Sequence, residues 1–184
     1  MLDPLIKKSD SLKKEADILL EKTDIVNDLK SFGEVSFIGA YAGNVMLDPD
    51  IDIAVTREDV YSVEEILDIF RSLFLKGSFR SYFIKGDWDD RRKGKEFPDG
   101  HYIGLKQRLN NIKWVVDVWF MDKDQFEDRN KKFFSIANFD LSDEQRKCIL
   151  EFKKYRNDRS LDISSQEIYQ AVVERDIRDI QSLF

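Results

Sequence analysis

Three aspartates carry the chemistry that this sequence can do. Asp50 and Asp52 stand two apart in Pro49-Asp50-Ile51-Asp52-Ile53-Ala54-Val55, a run that reads as a β-strand. Side chains alternate along a strand, so both carboxylates project from one face, about 6.6 Å apart at Cα. Two carboxylates that close repel each other unless a cation sits between them. The third, Asp117, interrupts the apolar run Trp114-Val115-Val116-Asp117-Val118-Trp119-Phe120. An unpaired charge among such residues costs several kcal/mol, so Asp117 needs a partner, and a place beside the Asp50/Asp52 strand supplies one. Three converging carboxylates offer hard oxygen ligands to Mg²⁺ or Mn²⁺. Taken singly, the Asp-x-Asp pair could be solvated turn residues and Asp117 an outward-pointing edge residue. A calcium loop starting at Asp48 is ruled out, because Ile53 and Asp59 occupy the positions that need glycine and glutamate.

The elements that must position these carboxylates follow from the spacing of apolar residues. A helix is expected over residues 9–29, and a short buried strand over 34–38. A glycine-containing loop, 39–49, then leads into the Asp50/Asp52 strand. Residues 60–74 predict an amphipathic helix whose stripe is Val63, Ile66, Leu67, Phe70, Leu73 and Phe74. Strands are expected over 79–84, 101–109 and 113–120, the last two joined by a turn at Asn110-Asn111. Helices are expected over 124–137 and after Ser142 and Ser164, whose Gln145 and Glu167 complete capping-box spacing. The predicted class is α/β (α+β): a small mixed sheet flanked by helices over residues 1–140, with a C-terminal helical section, 141–184, packed on it.

Composition narrows the partners. A formal net charge of -6 argues against a long nucleic acid, whose affinity comes largely from phosphate neutralisation. No apolar run approaches the roughly 20 residues of a membrane span. A single cysteine, Cys148, allows no internal disulfide, and the N-terminal residues show no apolar signal core, so a cytoplasmic location is expected.

The strand ending in Gly39-Ala40, nine intervening residues, Asp50-Ile51-Asp52 and then Asp117 resembles the polymerase-β-like nucleotidyltransferase superfamily. The segments around Gly100-His101-Tyr102, Gly104-Leu105-Lys106 and Val116-Asp117-Val118-Trp119-Phe120 look like those of uncharacterised bacterial nucleotidyltransferase-domain proteins. The resemblance implies transfer of a nucleotidyl group from ATP or another nucleoside triphosphate to a hydroxyl of a small molecule or protein. It implies two Mg²⁺ or Mn²⁺ ions held by Asp50, Asp52 and Asp117, and a Gly39-Ala40 turn that meets the β- and γ-phosphates. Lys85 and Lys106 are candidates to reach the triphosphate. Ala40 departs from the family's usual serine or glycine. That departure leaves a second reading open: a catalytically weak or inactive nucleotide-binding or antitoxin-type interaction module. The basic run Arg91-Arg92-Lys93-Gly94-Lys95 beside Trp88 reads first as a solvated loop, and alternatively as a flap that meets phosphate. His101, the one histidine, reads first as a structural hydrogen-bonding residue.

Overall fold

The computed structural model describes residues 3–85, 100–132 and 134–183; Trp88, the Arg91–Lys95 run and Phe133 lie outside the described residues. Helix α1 (Pro4–Thr23) starts where Asp3 caps Leu5 N–H and proline takes the first position. The helix predicted over 9–29 breaks at Asp24. Its left-handed backbone (φ 54°) ends α1 and starts the short α2 (Ile25–Lys30). Then follow β1 (Glu34–Ile38), one turn of helix α3 (Gly39–Ala42), β2 (Asp50–Arg57) and α4 (Val63–Lys76). Strands β3 (Ser81–Lys85), β4 (His101–Leu109) and β5 (Ile112–Asp122) precede α5 (Lys123–Lys132), α6 (Asp143–Arg159) and α7 (Ser165–Val173).

The sheet order is β1-β2-β5-β4-β3. Only β2 and β5 run parallel; the other neighbours are antiparallel. That single parallel pair brings the two aspartate strands together, because α4, β3 and β4 form the crossover that carries the chain from β2 back to its neighbour. Asn110 and Asn111 both adopt positive φ in the β4–β5 turn, as a tight hairpin requires.

One face of the sheet is apolar across its centre. Ile51, Ile53, Val55, Ile103, Leu105, Val116, Val118 and Phe120 are buried under α1, α2 and α4. The face of α4 that meets them is rotated from the one expected. Ile66, Ile69 and Leu73 are buried, whereas Val63, Leu67 and Phe74 are 59%, 51% and 57% exposed. The apolar arc is wider than the sheet can cover. Its outer part, Phe70 stacked on Phe74, meets Tyr82 edge-to-face at the sheet edge.

The C-terminal helices build a second cluster from Ile149, Phe152, Ile168 and Val172, closed by Ile6, Val45 and Leu47. Both predicted capping boxes form, at Ser142/Gln145 and Ser164/Glu167. The helix expected over 124–137 stops at Lys132, and a single 3₁₀ turn, Ile136–Asn138, follows. The loop that delivers Asp50 is pinned from two sides. Ser9 of α1 receives a hydrogen bond from Met46 N–H and donates to Asn44 O, while Arg146 of α6 also donates to Asn44 O and pairs with Asp10.

Candidate metal centre

Register places the aspartates. Asp52 lies opposite Asp117 across the parallel pair, and opposite Ile38 on the other side. Partners in register share a face, so Asp52 and Asp117 point to the side away from the main core, with Asp50 one step along. One carboxylate oxygen from each of the three lies within 4.8 Å of the others, and all three residues are half-buried. The structure therefore brings together the three carboxylates singled out from sequence, although they come from positions far apart in the chain.

The local fold makes room for them. Strand β1 ends at Ile38, and the backbone turns at once into α3 through Gly39, which holds φ +66°. A side chain there would collide with the Asp52 carboxylate. On the other flank, Tyr102 of β4 lies over Gly104 and donates a 2.6 Å hydrogen bond to Asp117 Oδ1.

Electrostatics mark the place as one that wants a cation. Burial raises the Asp50 carboxyl, and the charges of Asp117 and Asp48 add to it. Burial raises Asp52 as well, with Asp50 and Asp117 adding. Burial also raises Asp117, against the opposing effects of Tyr102's hydrogen bond and of Lys85 and Lys106. Asp50 Oδ1 is buried and has no hydrogen-bond partner. A buried carboxylate oxygen left without a partner beside two further carboxylates is what a divalent-ion site looks like from the protein side. The donor set, all oxygen and all acidic, fits Mg²⁺ or Mn²⁺.

A cavity of about 280 Å³ opens beside Asp50 and Asp52, lined also by Gly39 and Ala40. Its lining also includes cations that local sequence spacing does not single out: Lys153 and Arg156 of α6, and Arg129 of α5. Lys153 is only 5% exposed. Its ammonium donates to Val45 O at 2.8 Å and lies 3.5 Å from the Tyr169 hydroxyl. Burial, with Arg156 adding, lowers it to about 8, while Asp48, Asp52 and Asp50 oppose the shift. Arg129 is lowered by burial, with Asp52 opposing. The sequence did hold a signal. Ile149, Phe152, Lys153 and Arg156 follow helical spacing, so a lysine continues an apolar stripe.

Lys85 and Lys106 are not among the cavity-lining residues; they stand on β3 and β4, where the carboxylate they act on is Asp117. His101 shares the core-facing side of β4 with Ile103 and Leu105, and its Nε2 meets Tyr61 O at 3.0 Å, a structural contact. Cys148 is buried against α7 and the residues after it.

No protein-family model matches the chain, and no curated protein sequence matches it significantly. Among solved structures it is similar to a chain of the poly(A) polymerase complex GLD-2 – GLD-3, with a TM-score of 0.55 and 12% identity. The match covers all of this chain and 68% of that one. At that identity the likeness speaks for the fold alone: a five-stranded mixed sheet flanked by helices. No helix among the described residues is long and apolar enough to cross a membrane.

Proposed function

We propose that the chain transfers a nucleotidyl group from a nucleoside triphosphate, with ATP the expected donor, to a hydroxyl of a small molecule or protein. The observation that carries this is the convergence of Asp50, Asp52 and Asp117 beside a cavity that Lys153, Arg156 and Arg129 also line. Divalent ions bound by these carboxylates would lower the pKa of the acceptor hydroxyl and neutralise charge on the departing pyrophosphate. Asp50 and Asp52 line the cavity, and with Asp117 they would hold the divalent ions. The acceptor oxygen bonds to the α-phosphorus, the bridging bond to the β-phosphate breaks, and pyrophosphate leaves. The acceptor's proton passes to Asp117, which Tyr102 keeps oriented, and from there to solvent. Lys153, Arg156 and Arg129 pair with the triphosphate, and the Gly39-Ala40 turn offers backbone N–H groups to its outer phosphates. Catalysis on this reading is positioning and charge stabilisation.

A screen of hydroxyl acceptors with labelled ATP is expected to show pyrophosphate release that depends on Mg²⁺ or Mn²⁺. Lys153→Met should raise KM for ATP roughly tenfold or more, the weight of one hydrogen bond to a charged group. A chain that binds no Mg²⁺-ATP by calorimetry would end this reading.

Ala40 offers its N–H but no hydroxyl. Ala40→Ser is therefore expected to lower KM for ATP by about tenfold, since it adds a hydroxyl donor beside the phosphates. The same residue favours a second reading, a nucleotide-binding or antitoxin-type interaction module. That module would bind Mg²⁺-ATP and release no pyrophosphate, and the serine variant would not restore release.

A further inference from the structure

The apolar surplus of α4 has an order of its own. Val63, Leu67, Phe70 and Phe74 follow one another at steps of four, three and four residues. At roughly 100° per residue they fall within about 60° of arc, about 100° round the helix from the buried Ile66, Ile69 and Leu73. That is the seam along which two helices pack, set beside the face that α4 gives to its own sheet. Val63, Leu67 and Phe74 of the seam are more than half exposed, and Leu75 beyond it is 72% exposed. Tyr82, which meets Phe70 and Phe74, shares a face of the edge strand β3 with the exposed Ile84, opposite Leu105 and Ile103. These two extend the apolar surface at the sheet edge.

Charge decides what fits there. Of the ions on α4, Glu65 pairs with Arg57, and Lys76 pairs with Asp24 and Asp28. Glu64 and Arg71 are exposed and form no ion pair among the described residues. Both stand on the rim of the seam, seven residues apart, at the positions that flank a helix–helix contact. A parallel partner helix of the same sequence would set Glu64 against Glu64 and Arg71 against Arg71. An antiparallel one brings Glu64 of each copy to Arg71 of the other, and opposes the two helix dipoles as well.

We propose that this surface takes a second copy of the chain, α4 packing antiparallel on α4 about a two-fold axis between Leu67 and Phe70. Each Phe74 then lies over Val63 of the other copy, and each Leu67 over Phe70. A self-complementary patch of this kind closes as a dimer and does not propagate. The surface is on the core side of the sheet, opposite the face that carries Asp50, Asp52 and Asp117, so both candidate metal centres stay accessible. At 1.5 Å per residue α4 is about 21 Å long. An interface this small is at the weak end of specific association, with a dissociation constant on the order of 10 μM.

Sedimentation equilibrium from about 1 to about 200 μM is expected to show the chain passing from monomer to dimer. Leu67→Glu should abolish the dimer through that range and leave the melt of the dilute chain close to wild type, since Leu67 is half exposed. Glu64→Arg and Arg71→Glu each turn two attractions into two repulsions, and each should weaken association several-fold to about tenfold at low ionic strength. The double variant, and an equal mixture of the two single variants, restore opposite charges and should recover the wild-type affinity. A wild-type chain that stays monomeric throughout overturns the proposal and leaves the seam to a different partner. So does a dimer that survives Leu67→Glu. Single charge variants that associate like the wild type overturn the antiparallel pairing, as does a mixture no tighter than its parts.

Discussion

Asp52→Asn is expected to make the metal-free chain more stable and to lower metal-dependent transfer by roughly a thousandfold or more, about 4 kcal/mol of barrier. Burial is the largest cause that raises the Asp52 carboxyl, and the charges of Asp50 beside it and Asp117 opposite it add to that. Arg129 and Lys153 pull the other way, but their effects rank below burial and both aspartates, so the carboxyl stays raised. The sign of the pH dependence follows. A carboxyl whose folded-state pKa is raised stabilises the fold fully at pH below its ordinary value, and that contribution is lost as pH climbs through the raised one. The metal-free wild type should therefore melt lower at about pH 8 than at about pH 5, Mg²⁺ should restore the difference, and Asn should flatten the profile. For a chain of this size each kcal/mol moves Tm by roughly 2–4 °C, so relief of about 1–2 kcal/mol should raise Tm by about 2–8 °C at pH 8. Thermal melts with and without Mg²⁺ check it. An Asn variant that melts at or below the wild type throughout this range would mean that the carboxylate is at ease without a cation.

The strain is visible in the sequence because a carboxylate is a poor strand residue. Asp117 amid Val and Trp, and Asp50 and Asp52 on one side of alternating Ile and Val, could each be recognised without coordinates. The apolar alternation also fixed which face they share: Ile51, Ile53 and Val55 are completely buried on the other side. Pairing was a different matter. Nothing local states that β5, and not β1 or β4, lies parallel to β2; that comes from the crossover and its packing. The cationic lining was hidden for the same reason. Lys153, Arg156 and Arg129 reach the site through the packing of α5 and α6, which local spacing does not specify. Lys85 and Lys106 stand on β3 and β4 on the sheet face that carries Asp117, and they are not among the residues that line the cavity. The apolar stripe of α4 is broader than its buried face, because periodicity reports which residues are apolar and the neighbouring sheet decides which of them are covered.

Gly39→Ala tests whether the turn and the carboxylates are one device. Two costs fall on this substitution, and they can be separated. The backbone cost arises because Gly39 sits at φ +66°, a region where an L-residue is strained by about 1–2 kcal/mol. The second cost is contact: a Cβ at this position collides with the Asp52 carboxylate and stands 3.1 Å from its Cγ. Neither partner can move freely, since Gly39 O accepts from Gly43 N–H within α3 and Asp52 is held in register with Ile38 and Asp117. The carboxylate must rotate or α3 must shift, and either change separates Asp52 from the other two oxygens. Gly77 is the natural control. It has nearly the same backbone angle, φ +70°, and a Cβ there would meet nothing within 4 Å. Both alanine variants should lose similar backbone stability, about 1–2 kcal/mol by urea unfolding. Gly39→Ala alone should also lose Mg²⁺ affinity by roughly tenfold and transfer by roughly a hundredfold, about 2.7 kcal/mol. Equal behaviour of the two variants in metal binding and turnover would mean that the close approach at Gly39 is a feature of chain reversal only, with no part in holding Asp52 in place.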